Sequence, residues 1–287
     1  MSGLVVADWQ AELDGLLFGA GTPYAVTNWA GFLDLGGVRS AFTQRTRAHG
    51  GFTEPHFGGG AARTLEFNIS PTPTVSFAAA VAALRAGTYP QDGVRPLWFQ
   101  MPGIGLLTGG FQVLNRSIPI EQAYAFALVN KAAVQLYFPD PLWYGPTVSA
   151  LTRLPITSGG LAYPLSYPLA YGSPVTGRVS AANAGSAVTA PVFTIMGPID
   201  IAGFQVASIE DGISIQYNGS LSAGDQLVID TRTGSVVLNG TADRRNLLGY
   251  STWPNIPASS TRTFAFTTLG TYQAAASMTV AWAPAYW

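Results

Sequence analysis

The chain has 287 residues, 48% hydrophobic and only 10% charged, with a net charge of -1 and no cysteine. The missing cysteine excludes disulfides, zinc-thiolate sites and thiol catalysis. The balanced charge excludes the clustered basic excess of a nucleic-acid binder. Lys131 is the sole lysine, so the positive charge is nearly all arginine. The length suits two modest domains. The 33 glycines and 20 prolines, scattered without a period, punctuate many short strands and turns. Met1 to Phe18 lacks a basic start and is interrupted by Asp8, Glu12 and Asp14, so it does not read as a signal peptide. No uncharged apolar run is long and continuous enough to span a bilayer.

Residues 2–39 read as strands and loops, with Trp9 to Phe18 either a strand pair or a short amphipathic turn. Arg39, Arg45 and Arg47 follow, either a solvated strand face or contacts to a neighbouring subunit. Residues 49–60 are loop-like. Their His49, Glu54 and His56 raise a metal reading, but a glycine-rich loop holds ligands poorly. Gly58, Gly59 and Gly60 are not a phosphate loop, because no Gly-Lys-Ser/Thr follows. An interface loop is the better expectation.

Residues 63–70 alternate: Leu65, Phe67 and Ile69 face one way, Thr64, Glu66 and Asn68 the other. Pro71 and Pro73 stop that strand. One helix is expected over 75–86, opened by Pro73 or Thr74, with Val75, Ala78, Ala82 and Leu84 as its stripe, Phe77 and Val81 beside it, and Gly87 as its terminator. Strands are expected at 94–101, 109–119 and 122–137, and Val94 to Met101 and Ala123 to Tyr137 hold large apolar groups on both faces with few charges. One face would pack on the helix and the other would need a partner. Pro139 and Pro141 stiffen a hinge, and Asp140 reads as a turn former rather than a catalytic acid. Residues 161–172 repeat Tyr-Pro-Leu without charge, as an extended crossing segment or an aromatic ladder that could stack on sugar rings.

In residues 212–240, Ile213, Ile215 and Tyr217 share a strand face, Asn218-Gly219 and Asn239-Gly240 signal turns, and Asp230 to Gly234 joins two strands. Gly234 supplies the positive φ such a turn needs. Leu269 to Trp282 reads as a last hairpin, with Met278, Val280 and Trp282 on one face.

Gly224 to Gly240 closely resembles the "GD-x-L-x-I-(D/N)-T-x-x-G-x-V-x-L-N-G" segment of the siphovirus-type tail component family, the siphophage distal tail proteins. Arg244, Arg245 and Leu247, the Ser251-Thr252-Trp253-Pro254 loop, the Val280 to Trp287 end, and the Asn183 to Gly197 strand pair match further segments. Leu136 to Tyr144 is similar to the family's inter-domain junction. The motif similarity covers residues 180–287, and the earlier part is compatible in architecture.

The resemblance implies a mainly β chain: an N-terminal β-rich domain with one helix at 1–140, a lead-in at 141–179, and a galectin-like β-sandwich at 180–287. It implies a structural virion protein, not an enzyme, linking the tail tube to the host-recognition apparatus of a long-tailed, non-contractile phage. The expected setting is the tail tip, after assembly in the host cytoplasm. Expected partners are five further copies in a hexameric ring, the tail tube protein, a lysin-like hub protein and other baseplate proteins. No cofactor, metal, membrane or sequence-specific nucleic acid is expected. The alternative is a carbohydrate-binding module, suggested by Trp253, Trp282 and the tyrosines. Against it, the second half has no histidine for galectin-like sugar recognition. A hydrolase is less favoured still, since no nucleophile elbow or paired-acid motif occurs.

Overall fold

A computed structural model describes residues 4–40, 42–53, 56–156 and 177–287. The chain forms two compact units: residues 1–146 with 286–287, and residues 147–285. Within the segment expected as a lead-in, Trp143–Tyr144 and Val148–Arg153 are strands, the first belonging to unit one and the second to unit two. The Tyr-Pro-Leu repeat at 161–172 lies outside the described residues.

The sheet of the first unit runs Leu16–Phe18, Gln10–Leu13, Arg95–Met101, Gly105–Ser117, Val129–Phe138, Ala61–Ile69, Tyr24–Ala30, every neighbour antiparallel. Gly105–Ser117 pairs with one neighbour along its first part and with another along its second, with a bulge between Val113 and Asn115. A bulge of this kind bends and twists a strand. The two edge strands are joined only by residues 19–23, and Gly19 N–H donates to the Tyr24 carbonyl at 2.9 Å. The sheet therefore curls almost back onto itself. Trp9 to Phe18 resolves as a strand pair, turned by Asp14 and Gly15 at φ of 48° and 88°, the positive pair a tight hairpin requires.

Leu65, Phe67 and Ile69 are fully buried, as their alternation requires, while Thr64, Glu66 and Asn68 face outward. Rings fill the interior. Phe18, Tyr24 and Phe67 make one group and Trp29, Phe32, Phe99 and Trp143 another. Each buried ring contributes about 2–3 kcal/mol of burial and up to about 1 more from edge-to-face geometry.

The helix spans Phe77–Gly87, with Ser76 as N-cap, its hydroxyl accepting from Ala79 N–H at 3.3 Å. Its inward residues are Phe77, Ala80, Val81 and Leu84, whereas Ala78 and Ala82 are exposed. The expected stripe was rotated because alanine suits either face. Thr88, not Gly87, caps the end: its backbone N–H and its hydroxyl both donate to the Leu84 carbonyl. Arg95 and Arg116 donate to the Gly87 and Arg85 carbonyls at 3.1 and 2.9 Å, placing cations where the helix dipole favours them.

Two further expectations need correction. Gln122–Phe126 is a 3-10 turn, and the strand begins only at Val129. Small-large alternation at 123–129 fits either form. Here the Leu128 N–H closes the turn on the Ala123 carbonyl at 3.1 Å, and Ala127 is left-handed at φ 56°. Nor are both faces of the strand Val129–Phe138 bulky. Outward from Val129–Phe138 point Asn130, Ala133, Gln135 and Tyr137, a mostly polar or small set.

The second unit is a two-sheet antiparallel sandwich of the galectin-like class. One sheet runs Val148–Arg153, Ser277–Trp282, Val192–Met196, Gln226–Asp230, Ser235–Leu238, Ala242–Asp243. The other runs Arg178–Asn183, Ser260–Thr268, Phe204–Ser208, Ile213–Tyr217, Leu248–Ser251. Residues at every second position of both sheets meet in one core, for example Phe193 against Phe264 at 5.1 Å between ring centres. Met278, Val280 and Trp282 share the buried face as expected. Residues 269–276 do not turn a hairpin, because Ser260–Thr268 and Ser277–Trp282 lie in opposite sheets. The Asn183 to Gly197 strand pair divides between the sheets in the same way, and so does the 212–240 stretch. Alternation reveals which side of a strand is apolar, not which sheet the strand joins.

Candidate functional site

Among the described residues no group of three His, Asp or Glu side chains could hold a metal. His49 and His56 are exposed, and Glu54 lies outside the described residues. Asp140 is a turn former: its carboxylate accepts from the Leu142 N–H at 3.2 Å and from the Tyr144 hydroxyl at 2.8 Å. No helix of the described residues is long and apolar enough to cross a membrane.

The surface feature that stands out is an arm. Between Phe32 and Ala61 no described residue is buried. This stretch folds as two small antiparallel ribbons, Val38–Arg39 with Phe57–Gly58 and Phe42–Gln44 with Gly51–Thr53. Leu33, Leu35, Val38, Phe52 and Phe57 are all exposed along it, Leu35 by 65%. Arg39, Arg45 and Arg47 lie on it, and from 39 to 53 there is no acidic residue. Arg45 sits 5.1 Å from the Phe52 ring centre. Isolated two-stranded ribbons are marginal in water, and contiguous exposed apolar groups mark contact surfaces.

The arm's root explains the triple glycine. Gly59 N–H donates to the Gly37 carbonyl at 2.7 Å. A Cβ on Gly58 would lie 2.7 Å from the Trp287 ring, and one on Gly59 2.9 Å from the Gly37 oxygen. One on Gly60 would strike the Tyr137 hydroxyl. Two chain segments cross there at backbone contact, which only glycine permits.

Beside the root lies Arg63, 2% exposed and unnoticed in the sequence because it sits in an alternating strand at a core position. It donates through Nη2 to the Pro141 carbonyl at 2.9 Å and lies 4.0 Å from the Trp143 ring centre. Its Nε and Nη1 have no hydrogen-bond partner. Burial lowers its pKa to about 10, against the attraction of Asp140 and Asp34, which raise it.

In the second unit the recognised motif is scaffold. Asp225 accepts from Ser222 N–H at 2.8 Å and from the Asn239 side chain at 2.9 Å, and Asn239 Oδ1 accepts from Gln226 N–H at 2.9 Å. The two ends of the hairpin are thereby tied. Hydrogen bonds to Asn239 and then Ser222 hold the Asp225 pKa below the usual value. Asp230 Oδ1 accepts from Arg232 N–H at 2.8 Å, and Gly234 has φ 67°. Asn183 is buried and donates to the carbonyls of Ala187, Ile256 and Pro257. Trp282 is buried too, its indole N–H donating to the Ala182 carbonyl at 2.8 Å. Trp253 packs beside Gly234, with the Arg245 guanidinium 6.0 Å from its ring centre.

Residues 184–286 match the family described as Siphovirus-type tail component, C-terminal domain. The matched residues lie in the second unit, apart from Tyr286. Asp225 and Asn239, whose hydrogen bonds tie the hairpin, lie within the matched range. Over the whole chain the fold is similar to the crystal structure of the SPP1 Dit (gp 19.1) protein. The TM-score is 0.67 at 13% identity, covering 97% of this chain and 99% of that one. That protein is described as a paradigm of the hub adsorption apparatus in phages infecting Gram-positive hosts. Chains of the phage P2 baseplate in its activated conformation, with calcium and with strontium, are similar at TM-scores of 0.48 and 0.47. Their identities are 11% and 10%, and both alignments cover 95% of this chain and 97% of theirs. No curated protein sequence matches the chain.

Proposed function

We propose that the chain is a structural protein of a phage virion, the distal tail or baseplate hub component that joins a tail tube to a host-recognition apparatus. The observation that carries this reading is joint. The tail-component domain occupies residues 184–286, and the whole chain shares its fold with SPP1 Dit over nearly the full length of both. The role is scaffolding rather than catalysis, in keeping with motif residues whose polar atoms are spent on backbone and hairpin contacts. The protein works as a closed homo-oligomeric ring built through its first unit, with six copies as the family resemblance suggests. Its partners are the tail tube protein, a lysin-like hub protein and other baseplate proteins, at the tail tip of a virion assembled in the host cytoplasm. Two separable domains serve the two tasks, ring formation by the first and outward presentation by the second. Negative-stain imaging with mass measurement over a concentration series tests this. The expected result is a ring with a central hole and six copies. A chain that stays monomeric at every concentration would overturn it.

A further inference from the structure

The arm's root is gripped by residues from outside the arm. Its first ribbon pairs Val38 with Gly58 and Arg39 with Phe57, next to the backbone crossing of Gly37 and Gly59. Gly58 is not among the left-handed glycines. Its missing side chain therefore serves a close approach rather than a backbone turn. The groups that approach are the rings of Trp287 and Pro141. A Cβ on Gly58 would lie 2.7 Å from Trp287 Cζ3, 2.8 Å from Cη2 and 3.1 Å from Pro141 Cγ. A Cβ on Gly36, on the other side of the root, would lie 3.8 Å from Pro141 Cβ. Pro141 is itself fixed, because its carbonyl accepts from the buried Arg63 at 2.9 Å. Trp287 arrives with Tyr286, which packs against the aromatic interior of the first unit and ends a short strand paired with Trp143–Tyr144. Tyr286 and Trp287 belong to that unit although most of residues 147–285 form the other. Trp287 stays 53% exposed, so its contact can be removed without opening the interior.

We infer that Trp287 is a strap across the arm's root, and that it sets the direction in which the arm leaves the body. No described residue of the arm is buried, so nothing beyond the root can fix that direction. The root's own ties are few: a two-residue ribbon and the bond from Gly59 N–H to the Gly37 carbonyl at 2.7 Å. A ribbon that short is marginal by itself. An indole laid on bare backbone adds many dispersion contacts at the one place where the arm can be steadied. Pro141, held by Arg63, supports the same glycine. The arm is thus aimed by a residue far from it in sequence, reached only because the chain returns to the first unit after the sandwich. Trp287 acts as a positioning residue, and its role is independent of the ring reading.

Amide hydrogen exchange at Gly59 in the full chain tests this. That N–H leaves the Gly37 carbonyl only when the two segments of the root part. Trp287→Ala is expected to speed the exchange about three- to tenfold, with the strand Val129–Phe138 exchanging as in the wild type and the melting temperature unchanged. Trp287→Phe keeps a flat ring and is expected to fall between the two. Gly58→Ala gives the readout specific to the strap. Its methyl group meets the indole first, so it is expected to speed exchange in the wild type and to add little once Trp287 is alanine. Unchanged exchange at Gly59 in Trp287→Ala overturns the inference, and so do effects of the two substitutions that simply add. A Trp287→Ala chain that melts early and exchanges fast throughout the first unit also overturns it, since Trp287 would then hold the fold rather than the arm. None of these results touches the ring reading, which stands or falls on particle mass and shape.

Discussion

Replacing Arg63 probes the cost of a buried charge. Its pKa is lowered to about 10, chiefly through burial. At about 1.4 kcal/mol per unit, the charged side chain costs on the order of 3 kcal/mol relative to the unfolded chain. At neutral pH both states are protonated, so folding bears the whole cost. Arg63→Met removes it and keeps most of the volume. The variant loses the hydrogen bond to Pro141, about 1 kcal/mol, and the guanidinium contact with Trp143 and Phe138, about 1–2 kcal/mol. A thioether against the rings returns about 0.3–1.5 kcal/mol. The gains match or exceed the losses, so Arg63→Met is expected to be as stable as the wild type or more stable by up to about 2 kcal/mol. Arg63→Ala leaves a cavity and is expected to lose about 2–4 kcal/mol. Urea unfolding of the full chain followed by tryptophan fluorescence measures both. A loss above about 3 kcal/mol in the Met variant, with no greater loss in the Ala variant, would refute the reasoning. The guanidinium would then supply an interaction that the buried contacts do not account for.

Gly234→Val is expected to lower the melting temperature of the tail-component domain. A β-branched residue resists φ 67°, and its Cβ would lie 3.3 Å from Trp253. Asp230→Asn keeps the accepting oxygen and is expected to melt like the wild type. The domain is also expected to lose stability in acid. Asp225 has a pKa held below its ordinary 3.8. The stabilisation is therefore complete above about 3.8, fades as pH drops through the lowered value, and flattens in Asp225→Asn, as melting curves at stepped pH would report. A fragment of residues 147–285 is expected to unfold cooperatively. One starting at 180 lacks Val148–Arg153, the strand paired with Ser277–Trp282, and its melting temperature is expected to be lower.

Much of the fold was legible wherever alternation was strict. Leu65, Phe67 and Ile69, and Met278, Val280 and Trp282, could be assigned to buried faces from spacing alone. The tail-component domain was legible from its motif, although the reason for the motif is not: Asp225 and Asn239 are far apart in sequence and meet only through the hairpin. Alanine hid two features. It left the helix face undetermined at 78, 80 and 82, and it gave the 123–127 turn the rhythm of a strand. Sheet membership was illegible because alternation is the same in either sheet. The arm's arginines and glycines were visible, but not the ribbons they form. Arg63 could be found only through burial, since an arginine in an alternating strand reads as ordinary.

The glycines at the arm's root carry one more consequence. Because the crossing at Gly37 and Gly59 is made by backbone, the arm beyond it borrows little from the packing of the body. Substitutions between residues 38 and 57 leave the aromatic interior untouched, and the interior can vary without re-aiming the arm. The two parts are free to drift at separate rates. A lineage could thus reshape the arm's exposed surface without renegotiating whether the chain folds.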